Sequence, residues 1–225
     1  MKKWLVRISV ALNILVLIAA LGVWFNRDVI IGLVLAQMYA AKVSFFDSYP
    51  LAGTDVVMLG DSITEGGEWA EIFPGLPIKN RGIPGDTTTG VLARLDSIID
   101  AKPAAIFLKI GTNDLTMGPE RDVSYQQYRQ ILSTIQANSP GTRIYVQSVL
   151  PRAVDLRDEV EAYNLEIRAM ASELGVTYID LYPAFLASDG SMRDELSYDE
   201  VHLTGEGYRV WQSLLAPRMS EYQTQ

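Results

Sequence analysis

The sequence predicts an α/β fold in which a parallel sheet is covered by helices on both faces. Apolar runs alternate along the chain with segments whose apolar residues recur at helical spacing, and alternating strands and helices form parallel sheets. The runs are continuous, which is typical of strands buried on both faces. These strands are predicted at residues 56–59, 104–110, 143–149 and 176–181, with a further short strand at 77–80.

The intervening segments predict helices because their apolar residues fall on one helical face. Glycine or proline follows several of them, as is common where a helix ends. The helices are predicted at residues 68–73, 91–99, 125–135 and 160–174, and a last one contains Tyr208, Trp211 and Leu215. Pro50 and Gly53 are typical of a link into the first strand, so we expect this domain to begin near residue 50.

Composition limits the chemistry that the chain can perform. It has 225 residues, 48% of them hydrophobic, which fits one globular domain plus a short attached segment. The formal net charge of -8 argues against nucleic-acid binding, which needs clustered Lys and Arg. Cysteine is absent, which excludes thiolate nucleophiles and disulfides. His202 is the single histidine, so a histidine base can only be this residue, and a zinc site with several histidines is excluded.

Residues 1–28 predict a signal anchor that crosses a membrane. Three cations within the first seven residues precede an apolar run at residues 8–25, whose length is close to the ~20 residues that cross a bilayer. The cations favour a cytoplasmic N-terminus, with the domain on the periplasmic or extracellular side. A cleaved signal peptide is the alternative, because the small residues Ala19, Ala20 and Gly22 offer a cleavage site, and the domain would then be secreted.

Residues 29–49 are also apolar but contain Gly32, Gln37, Lys42 and Ser44. We therefore expect a juxtamembrane amphipathic helix here, lying along the membrane or against the domain, rather than a second crossing. The predicted organisation is an anchor at residues 1–28, this juxtamembrane segment at 29–49 and a globular domain at 50–225.

Ser62 follows the first predicted strand at a point suited to a nucleophile. Gly60 allows a turn where the strand stops, and the carboxyl edge of an open α/β sheet is where such folds hold ligands. Alone, the tripeptide Gly-Asp-Ser is more typical of an ordinary turn with a capping serine. Three later stretches favour the nucleophile.

The first two of these stretches offer hydrogen-bond donors. Gly82 and Gly85 lie in a loop that can expose backbone N–H groups to an anion, although a plain turn before a helix has the same composition. Asn113 follows the strand at 104–110, where its amide can point at a developing oxyanion or form an Asx turn.

The third stretch contains Asp199 and His202. A spacing of three residues is short enough for the carboxylate to hold the imidazole and to stabilise its cation. A lone histidine is more often a loop or cap residue, so the pair alone does not decide between the two interpretations.

Taken together and in this order, the four stretches resemble the GDSL/SGNH hydrolase family, over roughly residues 54–216. The matching motifs are Gly-Asp-Ser-Ile-Thr at 60–64, Asn-Arg-Gly-Ile-Pro-Gly-Asp-Thr-Thr at 80–88, Gly-Thr-Asn-Asp at 111–114 and Asp-x-x-His at 199–202. The second motif, with Leu-Pro-Arg at 150–152, is similar to the platelet-activating-factor acetylhydrolase-like branch of esterases and lipases. The resemblance implies a flavodoxin-like three-layer α/β/α fold with a five-stranded parallel sheet.

The resemblance also implies roles for individual residues. Ser62 would be the catalytic nucleophile, His202 the general base and Asp199 the carboxylate that orients it. The oxyanion hole would combine the backbone N–H groups of Ser62 and Gly82 with the side-chain amide of Asn113. No cofactor and no metal are implied.

Two positions depart from the family pattern, and two aromatic residues have an open role. Glu200 and Val201 stand where many members have a glycine and an apolar residue. Lys109 interrupts an apolar strand, and we expect it at a strand edge with its ammonium exposed. Trp69 and Phe73 are candidates to line an acyl site, although aromatic residues so placed are more often core.

The function that the resemblance implies is that of a serine ester hydrolase. It would act through an acyl-enzyme on short-chain esters, acetyl esters above all, of a carbohydrate or a lipid. The alternatives are a membrane-tethered O-acyltransferase and a non-catalytic domain that binds acylated glycans. The expected partners are the ester substrate and, through the N-terminal helix, a membrane; the sequence does not set an oligomeric state.

Overall fold

The computed structural model describes residues 2–223, which fall into two compact units. One unit comprises Met1–Ala41 and the other Lys42–Gln225. The boundary between them lies eight residues before the predicted start of the globular domain at residue 50, because the last turns of the second helix belong to the larger unit.

The N-terminal unit is built from two helices. Helix α1 spans Lys2–Phe25 and helix α2 spans Arg27–Ser48. Both contain a stretch long and apolar enough to cross a membrane, Lys3–Phe25 and Val29–Ser48, and neither stretch is buried. By length and composition each helix is therefore a candidate membrane span, and the amphipathic character expected of residues 29–49 stays a prediction.

The larger unit contains a five-stranded parallel sheet, which confirms the predicted fold class. Its strands lie in the order β2-β1-β3-β4-β5. Continuous apolar sequence explains why β1 and β3 are buried along their whole length. The strands are β1 Val56–Gly60, β2 Ile78–Gly82, β3 Ala105–Lys109, β4 Arg143–Gln147 and β5 Thr177–Ile179.

Helices connect successive strands and cover both faces of the sheet. They are α3 Ser62–Glu65, α4 Trp69–Ile72, α5 Thr88–Ala93, α6 Asp96–Ile99, α7 Arg121–Asn138, α8 Arg157–Glu173, α9 Tyr182–Phe185 and α10 Gly205–Met219. Single 3₁₀ turns lie at Val154–Leu156, Asp194–Leu196 and Ser220–Tyr222.

The core consists of two layers separated by the sheet. Alternate residues of one strand point to opposite faces, so Val57 and Leu59 join one layer while Val56 and Met58 join the other. The first layer contains the buried faces of α5 to α8, and the second contains those of α3, α4, α9 and α10. This arrangement leaves the carboxyl ends of the strands at one edge, where the loops after β1, β2 and β3 meet.

Two local predictions are wrong. The single helix expected over residues 91–99 is two short helices, because the chain leaves the helical conformation at Arg94, whose φ is -115°. Lys109 is fully buried, with no exposed surface, because β3 is the central strand of the sheet and not an edge.

Candidate functional site

Ser62 lies immediately beyond β1, at the start of the short helix α3. Asp61 precedes it in an extended conformation and accepts a hydrogen bond from the N–H of Ile63 through Oδ1, at 3.0 Å. This is an N-cap, which satisfies one of the free N–H groups at the helix start. The cap fixes the turn that lifts the Ser62 side chain above the end of the sheet.

The structure brings Ser62, His202 and Asp199 together in a hydrogen-bonded row. Ser62 Oγ lies 2.9 Å from His202 Nε2, and His202 Nδ1 lies 2.7 Å from Asp199 Oδ2. A carboxylate on Nδ1 favours the tautomer whose Nε2 is an acceptor, so that Nε2 can take the serine proton. Burial raises the pKa of Asp199, but hydrogen bonds from His202 outweigh it, and the pKa lies below its usual value.

The loop that carries Asp199 and His202 is held by its own polar groups. Asp199 Oδ1 accepts from the N–H groups of His202 at 2.7 Å and Val201 at 3.1 Å, while the Ser197 hydroxyl donates to the carbonyl of His202 at 2.8 Å. Glu200 has φ of +62°, in the left-handed region that favours glycine. A glycine at this position would adopt the same conformation without strain.

Two N–H donors predicted for the oxyanion hole, those of Asn113 and Ser62, are free in the described structure. Asn113 uses one hydrogen of Nδ2 to bond the backbone carbonyl of Asp86, at 2.8 Å. An asparagine amide has two hydrogens, so a second remains for a ligand. The backbone N–H of Ser62 is a second free donor. It is the first N–H of helix α3, and none of the described residues accepts a hydrogen bond from it.

The backbone N–H of Gly82, predicted to join the oxyanion hole, already has an acceptor in the structure. Its N–H donates to Asn80 Oδ1 at 2.9 Å, and a Cβ on Gly82 would lie only 2.3 Å from the backbone nitrogen of Glu65. Its lack of a side chain therefore serves the close approach of β2 to α3. Gly85, three residues on, has φ of +76°, and its N–H has no acceptor within the described part of the chain. Of these two glycines, Gly85 therefore has the free backbone N–H.

A buried ion pair supports the loop that holds Gly85. Arg94 Nη2 lies 2.7 Å from Asp86 Oδ2, both side chains being almost fully buried, and it also bonds the carbonyl of Gly60 at 3.2 Å. Burial raises the pKa of Asp86 to about 6, against the effect of Arg94, which lowers it. Arg94 therefore links Gly60, at the end of β1, to Asp86, whose carbonyl accepts the hydrogen bond from Asn113.

Lys109 lies beneath the nucleophile turn. Its Nζ is 3.9 Å from Asp61 Oδ2 and 3.4 Å from Thr112 Oγ1, and Asp61 Oδ2 has no hydrogen-bond donor among the described residues. Burial lowers the pKa of Lys109. The sequence alone predicts an edge position for this lysine, because the order of the strands, which decides burial, is a property of the tertiary structure.

Trp69 and Phe73 belong to the core. Trp69 is 3% exposed, and its indole N–H donates to the carbonyl of Thr64 at 2.8 Å. The centre of its ring lies 4.9 Å from the centre of the Trp211 ring. Of the two interpretations left open for these residues, the core one is confirmed. Among the residues that the structure describes, no group of three or more acidic or histidine side chains is arranged to hold a metal ion.

This geometry has the elements that acyl transfer to a serine requires. The Ser62 hydroxyl contacts an imidazole nitrogen, the imidazole contacts a carboxylate, and Asn113, which follows the neighbouring strand β3, keeps one amide hydrogen free. A model of the GDSL-like lipase/acylhydrolase family matches residues 58–210, which include all four motifs. The chain belongs to this family. It is a carboxylic ester hydrolase.

Comparisons with individual proteins agree with this membership. The chain is 30% identical over 185 residues to platelet-activating factor acetylhydrolase IB subunit alpha1 from Bos taurus, covering 76% of this chain and 79% of that protein. Its fold is similar to that of a GDSL-like lipase from Bacteroides thetaiotaomicron, with a TM-score of 0.70, 24% identity and coverage of 81% and 97%. An acetyl xylan esterase has the same fold at a TM-score of 0.61, with 22% identity and coverage of 73% and 98%.

Proposed function

We propose that this GDSL-like acylhydrolase removes short acyl groups, acetyl above all, from an ester of a carbohydrate or a lipid. Ser62 attacks the ester carbonyl while His202 takes its proton, and the tetrahedral intermediate collapses to an acyl-enzyme as His202 returns the proton to the leaving alcohol. A water that His202 activates then releases the acid. The contact of 2.9 Å between Ser62 Oγ and His202 Nε2 is the observation that carries this proposal.

The oxyanion would be held by the Ser62 N–H, the free hydrogen of Asn113 and the Gly85 N–H. Donors fixed before the reaction stabilise charge without reorganising, and each is worth about two to three orders of magnitude in kcat. The short acyl group is supported by two relatives, one described as an acetylhydrolase and one as an acetyl xylan esterase.

An exposed aromatic surface beside His202 favours an ester with a bulky leaving alcohol. Tyr198 is 71% exposed, and its ring stacks on the imidazole of His202 at a centroid distance of 5.9 Å and an angle of 17°. An exposed ring beside the base offers a flat apolar face to the part of the ester that leaves. A sugar ring or the backbone of a lipid fits this surface.

The apolar helices α1 and α2 support attachment to a membrane. We propose that α1 is an uncleaved anchor and that the cations before it keep the N-terminus in the cytoplasm, with the larger unit on the outer side. The enzyme would then meet esters at the cell surface. Protease digestion of spheroplasts, whose cytoplasmic membrane is intact, tests this orientation, and digestion of the larger unit only after that membrane is lysed would contradict it.

The activity is tested with p-nitrophenyl esters from acetate to palmitate, using the full chain in detergent and its Ser62→Ala variant. We expect turnover that depends on Ser62 and falls as the acyl chain lengthens. Folded wild type that is as inactive as the variant on every ester would contradict the proposal. Adding a glycan acceptor and measuring free acetate distinguishes hydrolysis from transfer, since transfer lowers the acetate released.

A further inference from the structure

The last turns of α2 contact the loops that hold the candidate site. Lys42 Nζ lies 2.7 Å from Glu65 Oε1, on the short helix that begins with Ser62. The guanidinium of Arg81 lies 4.5 Å from the centre of the Phe46 ring, and Arg81 Nη2 donates to the carbonyl of Tyr49 at 2.7 Å. All of these residues belong to the larger compact unit.

Arg81 depends on these contacts. It is 5% exposed, and no carboxylate of the described residues lies within 4.0 Å of its guanidinium. Its hydrogen bonds go to the carbonyls of Asn80, at 3.1 Å, and Tyr49, and burial together with nearby Arg94 lowers its pKa against the effect of Asp55. A buried cation without a carboxylate is costly unless carbonyls and an aromatic face surround it. Residues 46–49 supply the ring and one of those carbonyls.

The same phenylalanine reaches the second arginine of the site. The Arg94 guanidinium lies 5.9 Å from the centre of the Phe46 ring, and Arg94 Nη1 is buried without a hydrogen-bond acceptor. Arg94 holds Asp86, whose carbonyl in turn holds the amide of Asn113. The guanidinium groups of Arg81 and Arg94, on either side of the loop at residues 83–87, therefore both lie within 6 Å of the centre of the Phe46 ring.

We propose that Phe46 is a positioning residue for the loop at residues 83–87, which carries Gly85, so that residues 42–49 of the larger unit support the catalytic groups. The inference rests on the proposed function. The ring face of Phe46 keeps Arg81 and Arg94 in place. Arg94 holds Asp86, which follows Gly85 in the loop and whose carbonyl accepts from the amide of Asn113. Small displacements of oxyanion donors lower kcat more than they raise KM, because the donors act on the transition state.

Phe45 provides a matched control within the same helix. It is 55% exposed, and its ring contacts Phe46 and Tyr49 but neither arginine. The experiment compares Phe46→Ala, Phe46→Leu, Phe46→Tyr and Phe45→Ala in the full chain in detergent. It measures kcat and KM on p-nitrophenyl acetate, and amide hydrogen exchange of the peptide covering residues 80–86 without substrate.

We expect kcat of Phe46→Ala and Phe46→Leu to fall about tenfold with KM within about twofold, and exchange at residues 80–86 to accelerate. Phe46→Tyr keeps the ring face and should restore both values, while Phe45→Ala should match wild type. If Phe46→Leu has the kcat and the exchange rate of wild type, the proposal is overturned, because an apolar side chain without a ring face would then be enough to hold the loop. If wild type hydrolyses no ester, the proposed function fails, and the exchange measurement still decides whether Phe46 holds the loop.

Discussion

His202 Nε2 lies 2.9 Å from Ser62 Oγ although 140 residues separate them in the sequence. The contact forms because β1 and the loop before α10 both end at the carboxyl edge of the sheet. The serine comes from the first strand and the histidine from the last loop, so only the complete fold assembles the pair. The predictions below test what each neighbour contributes to it.

Asn113→Ala should lower kcat about a hundredfold and leave KM nearly unchanged, since the lost N–H acts on the oxyanion and not on the bound ester. Steady-state kinetics on p-nitrophenyl acetate measure this change. Asn138→Ala is the control, because Asn138 is an exposed asparagine whose amide bonds only Thr134 of its own helix. Equal kinetics for both variants would remove Asn113 from the oxyanion hole.

The pKa of Asp86 predicts opposite pH dependences for stability and activity. Burial raises this pKa from 3.8 to about 6, so the folded state holds the proton more tightly than the unfolded state. The contribution of Asp86 to the free energy of unfolding is therefore fully present below about pH 4 and is lost as pH rises through about 6, by about 3 kcal/mol. Activity should instead fall below pH 6, because protonation breaks the ion pair with Arg94.

The test compares wild type with Asp86→Asn, which cannot titrate at this position. Denaturant unfolding is followed by near-ultraviolet circular dichroism. The free energy of unfolding of wild type, relative to that of Asp86→Asn, should decrease between pH 4.5 and pH 7.5. The acid side of the kcat/KM profile should be steeper in wild type than in the variant. A stability difference that grows with pH would contradict the assignment.

Lys109→Met should destabilise the protein by about 3 kcal/mol, because it leaves the buried carboxylate of Asp61 without its cation. Chemical unfolding measures the loss. The same substitution made in an Asp61→Asn background should cost much less, since no buried negative charge remains. Lys79→Met, on an exposed position of β2, is the control and should change stability by less than about 0.5 kcal/mol. If Lys109→Met costs the same stability in the wild-type and Asp61→Asn backgrounds, the proposed charge pairing between Lys109 and Asp61 is wrong.

Glu200→Gly should raise the free energy of unfolding by about 0.5 kcal/mol. Relief of the left-handed strain at φ of +62° exceeds the entropy that glycine adds to the unfolded chain. Thermal unfolding checks the direction. Glu71→Gly, in the helical conformation of α4, should instead lose stability. If both variants lose stability alike, Glu200 is not strained.

Much of the site could be predicted because its residues follow strands that the sequence marks clearly. Ser62 and Asn113 come directly after apolar runs, and parallel strands bring such ends to one edge. The positions of Asp199 and His202 followed from the family motif, and their hydrogen bonds are in the structure. The roles of these residues remain predictions until activity is measured.

The errors come from contacts that only the tertiary structure sets. Gly82 is the last residue of β2 and Gly85 lies in the loop that follows, and the side chain of Asn80 accepts the N–H of Gly82 but not that of Gly85. Lys109 resembled an edge residue, but β3 is central. The role of Phe46 had no sequence signal, because its partners Arg81 and Arg94 lie far along the chain.

The central claim is that Ser62 is a nucleophile activated by His202. A fluorophosphonate probe reacts covalently with such serines, and mass spectrometry locates the adduct. Our account predicts one adduct on Ser62 in the full chain, and labelling slowed at least a hundredfold in His202→Gln. An adduct on another serine, or equal labelling of Ser62 in the folded His202→Gln variant, would contradict it.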